Sequence, residues 1–266
     1  MKVSICQFNL VWGSPEANCQ EAARCIESCE PSDLYVLPEM WSTGFAVEPA
    51  GIAEIANDAE GCYAMSLQWM LLEAHKKNAA VAGSLAIKEK GKYYNRFYFV
   101  RPDGTFTIYN KRHLFTFGGE DKKFTRGNER VIVVWRGTRI CLQVCYDLRF
   151  PVWMRNRKDY DLLLVVANWP VPRREPWDIL VRARAIENQC YVVAVNRVGK
   201  DPSCIYNGGS VVVSPYGKII AACENDKVNC VTADLNMETL EEFRKKFPVL
   251  EDADDFDVKK ASWLCK

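Results

Sequence analysis

The sequence predicts a single α/β domain in which mixed β-sheets are covered by helices. Apolar runs of strand length alternate with amphipathic segments, and turn signals such as Pro102-Asp103-Gly104 separate β-prone runs in the middle of the chain. Long apolar strands require cover on their faces, whereas hairpins add antiparallel pairs to the same sheets. No repeat, low-complexity stretch or linker divides residues 1–266, so one domain is expected.

The first half of the chain is predicted to contain two strand–helix pairs before a β-rich middle. Residues 3–8 form a short apolar strand, and Ser14-Pro15 supplies the N-cap and first-turn proline of a helix. A second strand at 34–37 ends at a proline, and a second helix is predicted at 63–77. The core-facing stripe of the first helix is expected to hold Cys19, Ala22, Ile26 and Cys29.

The second half alternates strands with helices. A helix begins at about Pro151, and apolar strands at 161–168 and 190–199 enclose a helix at 176–189. A hairpin, a last strand at 229–236 and an amphipathic helix at 237–248 follow. The buried face of the helix at 176–189 is expected to hold Ile179, Ala183, Ile186 and Cys190.

The charge and hydropathy patterns argue against several function classes. The formal net charge is +1 with acidic and basic residues interspersed, so neither nucleic acid nor a membrane surface is expected as a partner. The longest apolar runs, such as residues 162–167, are too short to span a bilayer. The amino terminus enters a strand directly and lacks a signal-peptide pattern, which indicates a cytoplasmic protein.

The twelve cysteines are a high number for a chain of this length. A secreted, disulfide-rich protein is one reading, but the chain is large and most cysteines lie in apolar or helical patterns. No C-x-x-C pair occurs, and only His75 and His113 could add imidazole ligands, so no metal site is predicted. We expect reduced thiols that mostly act as small buried hydrophobic side chains.

One cysteine, Cys145, has surroundings that indicate chemistry. The apolar run 140–144 ends at this residue, polar Tyr146 follows, and a helix begins near Pro151. A side chain at a sharp strand-to-helix bend projects from the sheet, and N–H groups beside it can stabilise an oxyanion. A buried strand-end cysteine without a chemical role is the alternative.

A nucleophilic cysteine needs a base, and two kinds of residue could provide it. His113 and His75 are the imidazole candidates. Glu39 follows the strand at 34–37 among apolar and aromatic neighbours, which would raise the pKa of its carboxyl group. Lys111, also just after a predicted strand, could offer a fixed positive charge to a tetrahedral intermediate. Solvated surface positions are the alternative for both charged residues.

Three segments together, LPEMWSTGF, YNKRHLF and CYDLRFP, resemble the signatures of the nitrilase superfamily of carbon–nitrogen hydrolases, with the omega-amidase-like branch as the best match. The resemblance extends over nearly the whole chain, through ANWP and YNGGSVVVSPYG. It implies a four-layer α-β-β-α sandwich with two mixed β-sheets, usually paired as a homodimer. It also implies hydrolysis of the ω-amide of a small keto-dicarboxylic acid, such as 2-oxoglutaramate, without a cofactor.

The resemblance implies a role for each matching residue. Cys145 would attack the amide carbon, and Glu39 would accept the thiol proton and pass a proton to ammonia. Lys111 and the backbone N–H of Tyr146 would stabilise the oxyanion. Glu120 matches a second acidic position that orients the lysine or the substrate, with a solvated loop acid as the alternative.

Residues near Trp169 are predicted to bind the substrate. Arg173 or Arg174 would bind the free carboxylate of the substrate, and Trp169 would cover the pocket. Solvated loop arginines are the alternative. Neighbouring aromatic residues indicate a narrow pocket for a small substrate and weak activity on bulky nitriles. Glu187 is expected to form a buried structural salt bridge with an arginine rather than to act in catalysis.

Two other functions remain open from the sequence. A hydrolase of the same superfamily that acts on carbamoyl amines or on a modified peptide amide would use the same triad in a differently shaped pocket. A thiol-redox or binding protein would instead use several exposed cysteines and would not depend on Glu39 or Lys111. The presence of all three motifs with their flanking residues favours the hydrolase.

Overall fold

The structure, a computed structural model, describes residues 1–57 and 60–258, so the C-terminal ASWLCK lies outside the described residues. The helices of this part of the chain are α1 (Pro15–Ser28), α2 (Met65–Lys77), α3 (Pro151–Met154), α4 (Arg174–Glu187) and α5 (Met237–Lys246). None of them is long and apolar enough to cross a membrane. The strands are β1 (Lys2–Gln7), β2 (Leu34–Val36), β3 (Glu54–Ile55), β4 (Ala80–Glu89), β5 (Lys92–Val100), β6 (Phe106–Asn110), β7 (Ile132–Trp135), β8 (Thr138–Val144), β9 (Leu162–Ala167), β10 (Tyr191–Asn196), β11 (Val198–Lys200), β12 (Ile205–Asn207), β13 (Val211–Val213), β14 (Ile219–Ala222) and β15 (Asn229–Asp234).

Most strands of the described chain pair into two mixed sheets. The first has the order β15-β1-β2-β4-β5-β6, with β3 paired to β4, and the second has the order β14-β13-β10-β9-β8-β7. Strands β1, β2 and β4 are parallel, as are β8, β9 and β10. The outer strands of the two orders join them antiparallel, and the short β3 pairs with β4 in parallel. The predicted mixed sheets are therefore confirmed.

The two sheets and their helices form four layers. The inner faces of the sheets pack against each other, with Val36 of the first sheet and Leu164 of the second in one apolar cluster. Helices α1 and α2 cover the outer face of the first sheet through residues such as Ile26. Helix α4 covers the outer face of the second sheet through Trp177. Since burying one such side chain contributes about 1.5–3 kcal/mol, these three clusters hold the predicted α-β-β-α sandwich together.

The predicted buried face of α4 is wrong for its two isoleucines, whereas Cys190, just past the end of the helix, is buried as predicted. Ile179 is 58% exposed and Ile186 is 53% exposed, whereas Trp177, Val181 and Ala185 are buried against the second sheet. Both faces of this helix carry apolar residues, so the helical spacing alone did not decide which face packs inward. The exposed isoleucines, seven residues apart, leave an apolar stripe on the outside of the sandwich.

The expectation of reduced cysteines is wrong for one pair. Cys29, at the end of α1, forms a disulfide with Cys230 of β15, 201 residues away in the sequence. The sheet order places β15 next to β1, which brings the two sulfurs together, and no short-range spacing pattern indicates this pairing. Other cysteines, such as Cys141 and Cys190, are buried free thiols within apolar clusters, as predicted.

Candidate active site

The structure brings Glu39, Lys111 and Cys145 together where strands end. Lys111 directly follows β6, Cys145 directly follows β8, and Glu39 lies shortly after β2. Lys111 Nζ donates to Glu39 Oε1 at 2.8 Å, and both side chains are fully buried. The Cys145 thiol is hydrogen-bonded to Glu39 and lies in the field of the Lys111 charge. A nucleophile, a carboxylate and a cation therefore share one site.

The carboxylate of Glu39 is held at both of its oxygens. Besides Lys111, Asn95 donates from Nδ2 to Oε1 at 2.7 Å, and the backbone N–H of Asn168 donates to Oε2 at 2.7 Å. Asn168 Nδ2 also donates to the backbone carbonyl of Glu39 at 2.7 Å. A buried charge requires such partners. They fix the direction in which Glu39 can exchange a proton.

Glu120 is the second carboxylate on Lys111. Lys111 Nζ lies 2.9 Å from Glu120 Oε2, which also accepts from the backbone N–H of Phe115 at 2.7 Å. Burial lowers the pKa of Lys111, but the charges of Glu120 and Glu39 outweigh this and raise that pKa above the ordinary lysine value. Lys111 is therefore cationic at neutral pH, and Glu120 has the contact expected of an acid that orients it.

Cys145 lies on a strained elbow between β8 and a 3₁₀ turn over Cys145–Arg149. Its φ is +46°, a conformation that costs a non-glycine residue on the order of 1–3 kcal/mol. Buried Asp147 stabilises this elbow, because Oδ2 accepts from the backbone N–H of Val144 at 3.1 Å and from the Tyr109 hydroxyl at 2.7 Å. The elbow is thereby tied to β6, the strand that leads to Lys111.

His113 belongs to the elbow and not to the cavity. Its Nδ1 is 2.8 Å from Asp147 Oδ1, and its ring stacks on Phe150 with centroids 3.8 Å apart. His75 lies in the last turn of α2, where Nδ1 is 3.3 Å from the Pro102 carbonyl oxygen. Among the bases that the sequence left open, the geometry therefore favours Glu39.

The pKa of Cys145 determines how the thiol can react. Burial raises this pKa, the charge of Glu39 raises it further, and the charge of Lys111 opposes the rise only in part. The thiol is therefore protonated at neutral pH. A nucleophilic attack requires that its proton leave as the new bond forms, and the hydrogen-bonded Glu39 is in place to accept it.

Cys145 and Lys111 open into a cavity of about 530 Å³. Phe45, Phe115, Tyr146 and Trp169 supply aromatic surface to its walls. Small-molecule sites typically have volumes of roughly 300–1,000 Å³ and are mostly apolar with a few polar groups. The cavity suits a small organic substrate whose reactive carbon would lie beside the thiol.

Two arginines line this cavity, and one of them, Arg173, is among the two that the sequence indicated. Arg173 lines it, with its guanidinium 5.0 Å from the centre of the Phe115 ring. Arg149, which the sequence did not single out, also lines it and lies 5.0 Å from the Trp169 ring centre. Arg174 points elsewhere and donates to Asp178 Oδ1 at 2.8 Å. The cavity thus carries two guanidinium groups in addition to Lys111.

The salt bridge expected of Glu187 is present, and its arginine partner is buried while Glu187 is partly exposed. Glu187 Oε1 is 3.0 Å from Arg184 Nη1, one turn earlier in α4, and the Glu187 side chain is 35% exposed. Neither residue lines the cavity, and the buried Arg184 guanidinium also donates to the Leu148 carbonyl at 2.7 Å. Its position agrees with a structural role.

Several polar residues of the site were missed by the sequence reasoning. Asn95 links Glu39 to Ser84, whose Oγ donates to Asn95 Oδ1 at 2.9 Å and accepts from the backbone N–H of Met40 at 2.9 Å. Asn168 carries the backbone N–H that binds Glu39. The available signal was a polar residue inside or directly after a buried strand, since buried polar groups need partners.

Comparison with known proteins defines the class to which this fold and site belong. The model of the carbon–nitrogen hydrolase family matches residues 2–245. The chain belongs to the carbon–nitrogen hydrolase family. It is 46% identical to Omega-amidase YafV of Escherichia coli strain K12, over 96% of this chain and 98% of that protein. It is 34% identical to 2-oxoglutaramate amidase of Bacillus subtilis strain 168, over 94% of this chain and 96% of that protein.

A solved structure supports the same class. XC1258 from Xanthomonas campestris, a CN-hydrolase superfamily protein with an arsenic adduct in its active site, superposes with a TM-score of 0.91. It is 38% identical, and the match covers 97% of this chain and 99% of that chain. The four-layer fold and the enzyme class expected from the sequence are therefore confirmed.

The opposing effects of Glu39 and Lys111 on Cys145 give a pH prediction. Glu39→Gln removes a negative charge that raises the thiol pKa, so the thiolate should form at lower pH than in the wild type. Lys111→Met removes the opposing charge, so the thiolate should form at higher pH. The measurement is the ultraviolet thiolate absorbance of each protein minus that of its Cys145→Ala counterpart. Glu187→Gln is the matched control, and a Glu39→Gln midpoint that stays or rises would contradict the prediction.

Proposed function

We propose that the protein hydrolyses the ω-amide of a small keto-dicarboxylic acid, such as 2-oxoglutaramate, to the acid and ammonia. One observation carries this proposal. The thiol lies beside a carboxylate and a lysine, and the cavity into which it opens is also lined by Arg149 and Arg173. Such a substrate has an amide at one end and a carboxylate at the other. The names of the Escherichia coli and Bacillus subtilis relatives support this substrate class.

The first half of the reaction forms a thioester. Cys145 Sγ attacks the amide carbon while the thiol proton moves to Glu39. The carbonyl oxygen becomes an oxyanion beside Lys111 Nζ and the backbone N–H of Tyr146, where a preorganised charge stabilises it. Collapse of the tetrahedral intermediate breaks the carbon–nitrogen bond, and Glu39 returns the proton so that ammonia leaves.

The second half hydrolyses the thioester. A water molecule loses a proton to Glu39 and attacks the acyl carbon, and the same oxyanion partners stabilise the second tetrahedral intermediate. The carbon–sulfur bond breaks, Cys145 recovers a proton from Glu39, and the acid leaves. The net reaction consumes one amide and one water and releases one acid and one ammonia.

Arg173 and Arg149 would bind the substrate carboxylate. Each guanidinium lies over an aromatic ring of the cavity wall, an arrangement that leaves its N–H groups directed away from the ring for hydrogen bonding to a carboxylate. An arginine can bind a carboxylate through two parallel hydrogen bonds. At the reactive end, Asn168 Oδ1 is buried without a hydrogen-bond partner in the described structure and could accept from the amide nitrogen of the substrate.

We further propose that the protein forms a homodimer through the outer face of α4. Ile179 and Ile186 are exposed there, and Ile186 lies against the turn that presents Tyr216, which is 61% exposed. A contiguous apolar surface of this kind marks an interaction site. A second copy of the chain would cover it symmetrically.

The proposed location is the cytoplasm. Free thiols are abundant among the described cysteines, and thiols persist in reducing compartments. In a reducing compartment, the disulfide between Cys29 and Cys230 would be reduced to two thiols.

The substrate prediction is tested by ammonia release. A panel of 2-oxoglutaramate, 2-oxosuccinamate, glutamine, a carbamoyl amine, an aliphatic nitrile and an arylnitrile should show fastest release from the keto-amides. Cys145→Ala should lower this release by at least about 10³-fold. Cys190→Ala, which alters a buried thiol far from the cavity, is the control. Faster turnover of the arylnitrile or of the carbamoyl amine than of any keto-amide would overturn the substrate assignment.

The carboxylate-binding prediction separates the three arginines. Arg173→Gln should raise KM for 2-oxoglutaramate about 10- to 100-fold, because one charged hydrogen-bonding partner is lost. Arg149→Gln should act in the same direction. Arg174→Gln should leave KM nearly unchanged, since Arg174 bonds Asp178 outside the cavity. Steady-state kinetics decide the matter, and a KM increase confined to Arg174→Gln would show that the carboxylate binds elsewhere.

The dimer prediction is tested by light scattering after size-exclusion chromatography. The wild type should have twice the mass of one chain, and the double variant Ile179→Glu with Ile186→Glu should have the mass of one chain. Ile205→Glu changes an isoleucine that is 64% exposed on β12 and should leave the dimer intact. A wild type that is monomeric at micromolar concentration would contradict the proposal.

A further inference from the structure

Four cysteines from three elements meet on the outer side of the first sheet. Cys6 of β1 and Cys230 of β15 are directly opposite each other in the antiparallel pair. Cys25 and Cys29 lie four residues apart at the end of α1, a spacing that puts two side chains on the same side of a helix. The three elements cover widely separated parts of the sequence, so no local motif predicts the group.

The sulfur atoms of this cysteine group are close enough to share one ion. The Sγ atoms of Cys6, Cys25 and Cys230 lie within 4.8 Å of one another. Cys29 Sγ is 3.9 Å from Cys6 Sγ and is bonded to Cys230. In a tetrahedral zinc site with bonds of about 2.3 Å, the sulfurs are about 3.8 Å apart. Small side-chain rotations would therefore bring the four sulfurs to ligand positions once the disulfide is open.

The cysteine group is buried on one side and accessible from solvent on the other. Cys6 and Cys25 are buried in the apolar cluster between α1, α2 and the first sheet. Cys29 and Cys230 are partly exposed at the edge of that cluster, which gives an ion a route from solvent. Thiolate sulfurs select soft ions such as zinc and cuprous copper.

We propose that the reduced chain binds one thiophilic d¹⁰ cation, Zn²⁺ or Cu⁺, through Cys6, Cys25, Cys29 and Cys230. A dithiol reductant would supply two electrons and two protons to the Cys29–Cys230 bond and would itself become a disulfide. The ion would then displace thiol protons to solvent and bind the sulfurs. The metal-bound and disulfide states exclude each other, because Cys29 and Cys230 cannot bind an ion as thiolates while they are bonded together.

The consequence is a redox-dependent link between distant parts of the chain. Either the disulfide or the bound ion would join the end of α1 to β15, and the ion would also join β1. An ion that binds only the folded chain stabilises it. The site shares no residue with Glu39, Lys111 and Cys145, so the inference does not depend on the proposed substrate.

The test uses the full chain in a Cys145→Ala background, which removes the active-site thiol as a competing ligand. After reduction with a phosphine, Zn²⁺ is titrated against a chromophoric chelator, and Cu⁺ is titrated in a second arm against its own chromophoric chelator. One equivalent of at least one ion should bind. Cys6→Ser and Cys25→Ala should each weaken binding by about 100-fold or more, since a thiolate ligand is lost. Cys190→Ala should bind as the parent does.

Thermal unfolding and oxidation give independent readouts. The saturating ion should raise Tm of the reduced parent by about 5 °C, a shift that the ligand variants should lack. The oxidised parent should bind neither ion. Cys29→Ser, at a partly exposed position, tests the site if a buried variant fails to fold. The proposal is overturned if the reduced parent binds neither ion, if all three ligand variants retain parental affinity, or if the oxidised chain binds equally well.

Discussion

The buried contact of Lys111 with Glu39 and Glu120 is the constraint on which the active site depends. Two carboxyl side chains and one ammonium group lie in contact there, and all three side chains are fully buried. Removing one partner of a buried ion pair typically costs about 3–5 kcal/mol, because the remaining charge stays buried. Adding a thiolate would increase the negative charge. Burial and the charge of Glu39 keep Cys145 protonated, and the carboxylate that holds Lys111 is also in place to accept the thiol proton.

The fold supplies this constraint through strand ends. Strands β2 and β6 of one sheet and β8 of the other deliver Glu39, Lys111 and Cys145 to a common edge of the sandwich. Because the strands are packed on both faces, the side chains they carry have little freedom to move. Asp147 adds a direct link across the sheets, since it binds both the elbow of Cys145 and the Tyr109 hydroxyl of β6.

The sequence predicted the features that local pattern determines and missed those that depend on packing between distant segments. Glu39 and Cys145 could be found because each follows an apolar run with a change of polarity. The partners of Glu39 could not, because Asn95 lies within a strand whose pairing decides where it points. The outward face of α4 was misread since both of its faces are apolar, and the Cys29–Cys230 pair depends on β15 lying beside β1.

Chemistry and specificity come from different parts of this architecture. The triad would treat the carbonyl group of any linear amide alike, because it contacts only the reacting carbon, the transferred proton and the oxyanion of the substrate. Discrimination must come from groups that touch the rest of the substrate. Arg149 lies in the turn after β8, and Arg173 lies in the segment between β9 and α4. A change in either segment could therefore alter the preferred amide while the strand ends and their buried charges stay as they are.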